Sequence, residues 1–212
     1  DTAASRHGTP RARSLPAAWP CRLKILNLES QISNPESRIL LVCDTRGAAW
    51  PITIDPVLAP VEKKLTASDG AADDSFGFAV SVAGDVALVG AYIDDSSKGA
   101  AYVFERNAGG TNAWGEVKKL TASDGAEMDW FGWSVSVAGD VALVSACGKD
   151  SSKGAAYVFE RNAGGTNAWG EVAKLAAADG AEYDYFGRSV SAAGDVALVG
   201  ALRADSGKGA AY

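Results

Sequence analysis

The sequence predicts an all-β fold made of consecutive antiparallel units, and three observations carry that prediction. The stretch FGFAVSVAGDVALVGAY from Phe76 returns as FGWSVSVAGDVALVSAC from Phe131 and as FGRSVSAAGDVALVGAL from Phe186, a step of 55 residues each time. The flanks return with it: KLTASDGA from Lys64 reappears from Lys119 and, as KLAAADGA, from Lys174, while KGAAYVFERNAGGTNAWGEV from Lys98 is unchanged from Lys153. Short apolar runs are separated by Gly-, Asp- and Asn-rich punctuation, with 24 glycines in 212 residues. A fixed period built from strand-length runs marks repeated β units, each of which buries its apolar face against a neighbour.

Taken in order, residues 1–18 mix Arg, Ser, Ala and Pro without periodicity and read as a disordered arm. CRLKILNL, SRILLVCD and AWPITIDP follow as three strand-like runs separated by SNPES and TRG. They form a small N-terminal β meander over residues 21–55, with Pro51 and Pro56 placing its last strand at an edge. With the linker that follows, residues 19–60 make one unit and 61–212 the next.

Each repeat reads as four strands. In FGFAVSVA, alternation places Phe76, Phe78, Val80 and Val82 on a bulky face and Gly77, Ala79 and Ser81 on a small one. The bulky face of one unit is expected to enter the small face of the next. AGD turns the chain into VALVGA, whose unbroken apolar run needs cover on both faces. IDDSSKG leads to GAAYVFER, NAGGTNA is a hairpin loop into WGEVKKLTA, and ASDGAADDS carries the chain to the next FG. Four antiparallel strands repeated radially describe a β-propeller blade. The third copy reaches Tyr212 before any match to VFER or the Trp strand, so about three blades form a partial, open propeller, a fragment of a larger protein or an open arc. Strand one is innermost, Phe76, Phe131 and Phe186 are buried, and Arg188, in the place of Phe78 and Trp133, marks a terminal blade face without a neighbour or meets a polar group of a further blade.

The FG opening strand one, the VGA of VALVGAY and the GAAYVF after it resemble the FG-GAP repeat of the integrin α-subunit propeller and of many secreted or surface proteins of microbes. The resemblance covers about residues 61–212, with Tyr92, Cys147 and Leu202 where the family's name has Pro. ILLVCDTRGAAWPITIDP resembles a β segment that often precedes such repeats. The resemblance implies a non-enzymatic adhesion or protein-binding module, extracellular or at the cell surface, within propellers that usually have seven blades. Integrin propellers hold calcium in a D-x-D-x-D-G hairpin between strands one and two. Here that hairpin is AGD, with Asp85, Asp140 or Asp195 as its one acid, so those ligands do not carry over.

Charge narrows the partners. The net charge of −6 divides into +2 over residues 1–60 and −8 over 61–212. An acidic repeat region disfavours nucleic acid and suits cations or basic partners. No apolar run reaches the ~20 residues of a membrane helix. The chain starts at Asp1 without a leader pattern, which leaves a removed leader and an excised piece equally open. The one histidine, His7, lies in the arm, so nucleophile–His arrangements have no base in the repeats, and no His/Cys cluster offers zinc ligands. Carboxylates recur at equivalent places, whereas a catalytic pair needs asymmetry. Three cysteines permit one internal disulfide at most, Cys21 with Cys43, and Cys147 reads as an apolar filler.

The candidate contacts are acidic loops. Asp69, Asp73 and Asp74 precede the first strand one, and Asp124, Glu127, Asp129 and Asp179, Glu182, Asp184 are their counterparts. Asp94, Asp95, Asp150 and Asp205 lie in the connections between strands two and three. Alternating strand direction puts both sets on one face, opposite the AGD turns and NAGGTNA loops, as an acidic ligand-facing band. Weak calcium binding at Asp69, Asp73, Asp74 and equivalents is one reading. The favoured one is that Asp73 or Asp74, Asp129 and Asp184 cap the turn before FG, with no cofactor. Repetition assigns Tyr102, Tyr157, Trp114 and Trp169 to packing between blades, while Ser75, Trp130 and Tyr185 vary at one position and suggest exposure. NAGGTNAWGEV is identical in two copies, but IDDSSK, GKDSSK and RADSGK differ, which favours contact on the face carrying them. Three functions follow: a module presenting this face to a protein or glycan, a spacer without a ligand, or the non-catalytic part of a larger secreted enzyme.

Overall fold

The computed structural model describes residues 62–111 and 113–212. The readings of residues 1–18 as an arm and 19–60 as a meander and linker, and of a Cys21–Cys43 bridge, lie outside them. The described chain forms three antiparallel sheets. The first contains β1 (Ala79–Ala83), β2 (Val86–Ala91), β3 (Ala100–Arg106) and β4 (Trp114–Leu120). The second contains β5 (Phe131–Ala138), β6 (Val141–Ala146), β7 (Ala155–Glu160) and β8 (Gly170–Leu175). The third contains β9 (Phe186–Ala193), β10 (Val196–Ala201) and β11 (Ala210–Ala211). In each, sequence order is spatial order, the meander of a propeller blade. Helix is confined to four-residue turns such as Asp94–Ser97, whose Asp95 and Ser96 have left-handed φ of 47° and 59°. Short polar side chains tolerate that backbone.

The sheets stack through their first strands. Val135 and Val137 of β5 share a core with Ala79, Ala83, Val86, Leu88 and Val103 of the first sheet. Val190 and Ala192 of β9 share one with Leu143, Ala156 and Val158 of the second. The later sheet's bulky face therefore enters the earlier sheet's small face, the reverse of the expected order, in which each bulky face entered the unit that follows. The serines of the small face have a second role. Val137 N–H donates to Ser81 Oγ at 3.0 Å, Val190 N–H to Ser134 Oγ at 3.1 Å, and Ala192 N–H to Ser136 Oγ at 2.9 Å. Because β5 and β9 are edge strands, these hydroxyls satisfy N–H groups that no strand covers. The repeated FG has a steric cause as well. Gly132 has φ +87°, and a Cβ there would run into the Ala100 carbonyl of the first sheet.

Three further expectations need correction. Strand one begins at Phe131 and Phe186 in the later repeats but only at Ala79 in the first. Phe131 N–H and Phe186 N–H are held by the Lys98 and Lys153 carbonyls of the preceding sheet, both at 2.9 Å, an anchor without a counterpart for Phe76 among the described residues. Phe131 and Phe186 are accordingly buried and Phe76 half-buried. Second, Phe76 and Phe78 do not share a face, because Gly77 at φ +90° turns the chain between them. Phe76 packs edge-on against Tyr102 at 5.5 Å, whereas Phe78 lies 4.5 Å from Tyr92 and 4.8 Å from Trp133. Third, Arg188 is not on a face without a neighbour: its guanidinium sits 4.2 Å over the Trp133 ring of the preceding sheet.

The uncovered faces are two others. Val82 is 68% exposed where its equivalent Val137 is 6%, and Leu198 is 55% exposed where Leu143 is 1%. Among the described residues the propeller arc is open, with one apolar sheet face bare at each end.

Candidate interaction face

Both acidic loop sets meet at one end of the sheets. Ile93 N–H donates to the Asp74 carbonyl at 3.4 Å, Gly148 N–H to Asp129 at 3.0 Å and Arg203 N–H to Asp184 at 3.1 Å, which joins the two loops within each sheet. Trp130 N–H donates to Ser97 O at 3.1 Å and Tyr185 N–H to Ser152 O at 2.8 Å, which joins each sheet to the next. The left-handed turn between the second and third strands is thus a clasp, and its polar residues supply carbonyls aimed at the following FG.

Within this end, the acids divide by what holds them. Asp74, Asp129 and Asp184 each accept a backbone N–H three residues upstream, from Ala71 at 2.6 Å, Ala126 at 2.7 Å and Ala181 at 2.8 Å. That is the geometry of a turn cap. Asp69 and Asp94 converge on one pair of groups. Lys119 Nζ lies 2.7 Å from Asp69 and 2.9 Å from Asp94, and the Tyr102 hydroxyl, with one proton to share between them, lies 2.9 and 3.0 Å from the same two carboxylates. Asp124 repeats the pattern with Tyr157 and Lys174, each at 2.7 Å, and Asp179 accepts from Tyr212 O–H at 2.9 Å. Asp95 pairs with Lys98 at 3.1 Å. Asp73, Glu127, Asp150, Glu182 and Asp205 are exposed at this end.

Asp94 and Asp129 were expected to face a ligand, and both are buried. The reason is charge pairing. Lys149 stands where the first repeat has Asp94, and its ammonium lies 2.8 Å from the buried Asp129 and 3.6 Å from Asp124. A carboxylate excluded from water needs a cation close by, and opposite charges at one repeat position solve that need in opposite ways. Burial acts to raise the Asp124 carboxyl, but hydrogen bonds from Lys174 and Tyr157 and the nearby Lys149 charge outweigh it and bring it down to about 2. Burial pushes the Tyr102 and Tyr157 hydroxyls up, and their carboxylate partners add to it. A cleft of about 320 Å³ opens beside Asp94, lined also by Asp95, Lys98, Lys119 and Thr121.

The sequence reading missed an aromatic cluster at the same end. Phe78, Tyr92 and Trp133 lie mutually within 4.8 Å between ring centres, and Trp130 extends the group at 5.7 Å from Trp133. Phe78 is half exposed, as are Met128, two residues before Trp130, and Tyr183 and Leu202 of the third repeat. A signal existed: Phe78, Trp133 and Arg188 share one repeat position and Tyr92, Cys147 and Leu202 another, and within the stretch that starts at each FG these two positions change most in size and polarity. By contrast Trp169 is buried, and its indole N–H donates to Glu105 of the preceding sheet at 3.2 Å, as packing between blades requires.

The opposite end does not fit a calcium hairpin. Asp85 is paired with Arg106 and Asp140 with Arg161, each at 3.0 Å, so the acid of the turn already faces a guanidinium. Among the described residues no group of three or more His, Cys, Asp or Glu side chains is placed to hold a metal ion, and no helix is long and apolar enough to cross a membrane.

A family model described as the FG-GAP repeat matches residues 61–104, 114–159 and 169–212. No curated protein matches the chain.

Proposed function

The chain belongs to the FG-GAP repeat family, and from that premise we propose that its β-propeller-type module is a non-enzymatic interaction module of a secreted or cell-surface protein. The partner is a protein or glycan that docks on the end where the acidic loops and the aromatic cluster meet. One observation carries this reading. Phe78, Tyr92 and Trp133 form a partly exposed ring cluster at the same end as the exposed Asp73, Glu127 and Asp150. Aromatic side chains framed by polar ones are the composition of a contact surface. The outward acids favour a basic partner surface and disfavour anionic ligands and nucleic acid.

The spacer reading predicts no preference for any partner. To separate the two, the chain is applied to arrays of Lys/Arg-rich and Asp/Glu-rich peptides and of neutral and sulfated glycans. Binding to basic peptides or neutral glycans that is lost in Tyr92→Ala, and for the peptides also in a Glu127→Lys, Glu182→Lys pair, supports the module. Signal on none of them, or equal signal on acidic and basic peptides, overturns it.

A further inference from the structure

We propose that the cleft beside Asp94 is a binding site for a neutral polyhydroxylated ring, a sugar either free or at the end of a glycan. The turn after β2 and the turn after β4 form its walls. The inference rests on the reading of the loop face as a contact surface and names one ligand class and its seat. It starts from an unused acceptor. Asp94 is 5% exposed, and Lys119 Nζ and the Tyr102 hydroxyl both reach its Oδ2, at 2.9 and 3.0 Å. Its Oδ1 accepts no hydrogen bond from the described residues. A carboxylate so little exposed gains from a donor at its second oxygen. The cleft that Asp94 lines has about 320 Å³, at the lower end of the roughly 300–1,000 Å³ of small-ligand sites.

Charge selects a neutral ligand. The ions that line the cleft are paired with one another, Asp94 with Lys119 at 2.9 Å and Asp95 with Lys98 at 3.1 Å. A cation approaching Oδ1 meets two ammonium groups, an anion meets two carboxylates, and either competes with an ion pair already formed. A hydroxyl both donates and accepts, so neighbouring hydroxyls on one ring give a proton to a carboxylate and take one from an ammonium without breaking a pair. The Thr121 hydroxyl adds a further group of the same kind, and the Ala122 methyl with Gly99 and Gly125 offers surface to the C–H face of the ring.

The second repeat is an internal control. At the offset of 55, Asp95, Lys98 and Lys119 return as Asp150, Lys153 and Lys174, but Lys149 stands in the place of Asp94 and Ala176 in that of Thr121. The Lys149 ammonium is drawn to Asp129 at 2.8 Å, so that position offers neither a spare carboxylate oxygen nor a hydroxyl. The two lining positions that differ between these units are therefore the two that supply the groups a sugar needs, and only the first unit has both.

The test is titration of the isotope-labelled 212-residue chain, followed by amide NMR shifts, with glucose, galactose, mannose, N-acetylglucosamine and the methyl glycosides of each. Saturable shifts of the Gly99, Thr121 and Gly125 amides at millimolar sugar, the affinity a single ring with few contacts can reach, support the site. Methyl glycosides that bind as well as the free sugar assign the end of a glycan, and binding of the free sugar alone assigns a soluble monosaccharide; both carry the neutral ring. No shift with any of them overturns the site. So does a response of these amides to butylammonium in place of sugar, the mark of a cation seat. Asp94→Lys gives the first repeat the charges that the second already holds in a folded sheet, and Thr121 is exposed, so Thr121→Ala keeps the fold. The first variant weakens sugar binding by on the order of tenfold or more and the second by about fivefold. Unchanged affinity in either variant overturns the site. A basic peptide that binds and is lost in Tyr92→Ala, with no sugar moving these amides, overturns the cleft and leaves the interaction module standing.

Discussion

Leu143 and Leu198 occupy the same position in β6 and β10, yet the first is 1% exposed and the second 55%, because a following sheet covers only Leu143. Replacing each by alanine measures what stacking contributes. Leu143→Ala removes three buried carbons, about 2.4 kcal/mol at ~0.8 kcal/mol each, before any cavity cost. The residual cavity among Ala156, Phe186 and Val199 raises the total to about 3–5 kcal/mol. Leu198→Ala loses burial of less than half the side chain and leaves no closed cavity, so its cost is about 1 kcal/mol. Urea unfolding followed by tryptophan fluorescence reads the difference, which at an m-value of about 2 kcal/mol/M separates the two midpoints by about 1 M or more. Equal midpoint shifts for the two variants would refute the reasoning, since they would show that the third sheet does not pack on the second.

Three further outcomes are expected. The Asp124 carboxyl falls from an ordinary 3.8 to about 2 in the fold, so the stability it contributes is complete above 3.8 and is lost as pH drops through about 2. The urea midpoint should decline over that window, and Asp124→Asn should flatten the decline; an unaltered profile in the variant contradicts the Lys174 and Tyr157 pairing. Cys147 is fully buried and burial pushes its thiol up to about 11, with Arg188 pulling the other way. In a Cys21→Ser, Cys43→Ser chain it should resist an aromatic disulfide reagent at mildly alkaline pH until the protein unfolds, and rapid native labelling would show the site is open. Calcium should raise the thermal midpoint only slightly, and only at millimolar levels; a large rise at micromolar calcium would mean that the loop carboxylates form a cage.

The repeat register, four strands to a complete blade, the turn-capping Asp74, Asp129 and Asp184, and the shared end for both acidic loop sets were legible in the sequence. These features are local or periodic: strand alternation, Gly-rich turns and a 55-residue step are written in near neighbours and repeat three times, so each copy corroborates the others. Which carboxylates face outward was not legible. Asp94 and Lys149 occupy one position with opposite charge, and only the placement of Lys119 beside the former and Asp129 beside the latter turns both inward. The aromatic cluster was hidden for a related reason, because Gly77 and Gly132 rotate the chain and break the alternation that would have sent Phe78 and Trp133 into the core. The direction of stacking was likewise a matter of tertiary structure. A strand with one bulky and one small face fits a copy of itself on either side, and what selects the order is the set of Ser81, Ser134 and Ser136 hydroxyls that receive the next sheet's edge N–H groups. Hydrogen-bond partners 56 residues apart leave no mark in local pattern, because what pairs them is the packing of one sheet on the next.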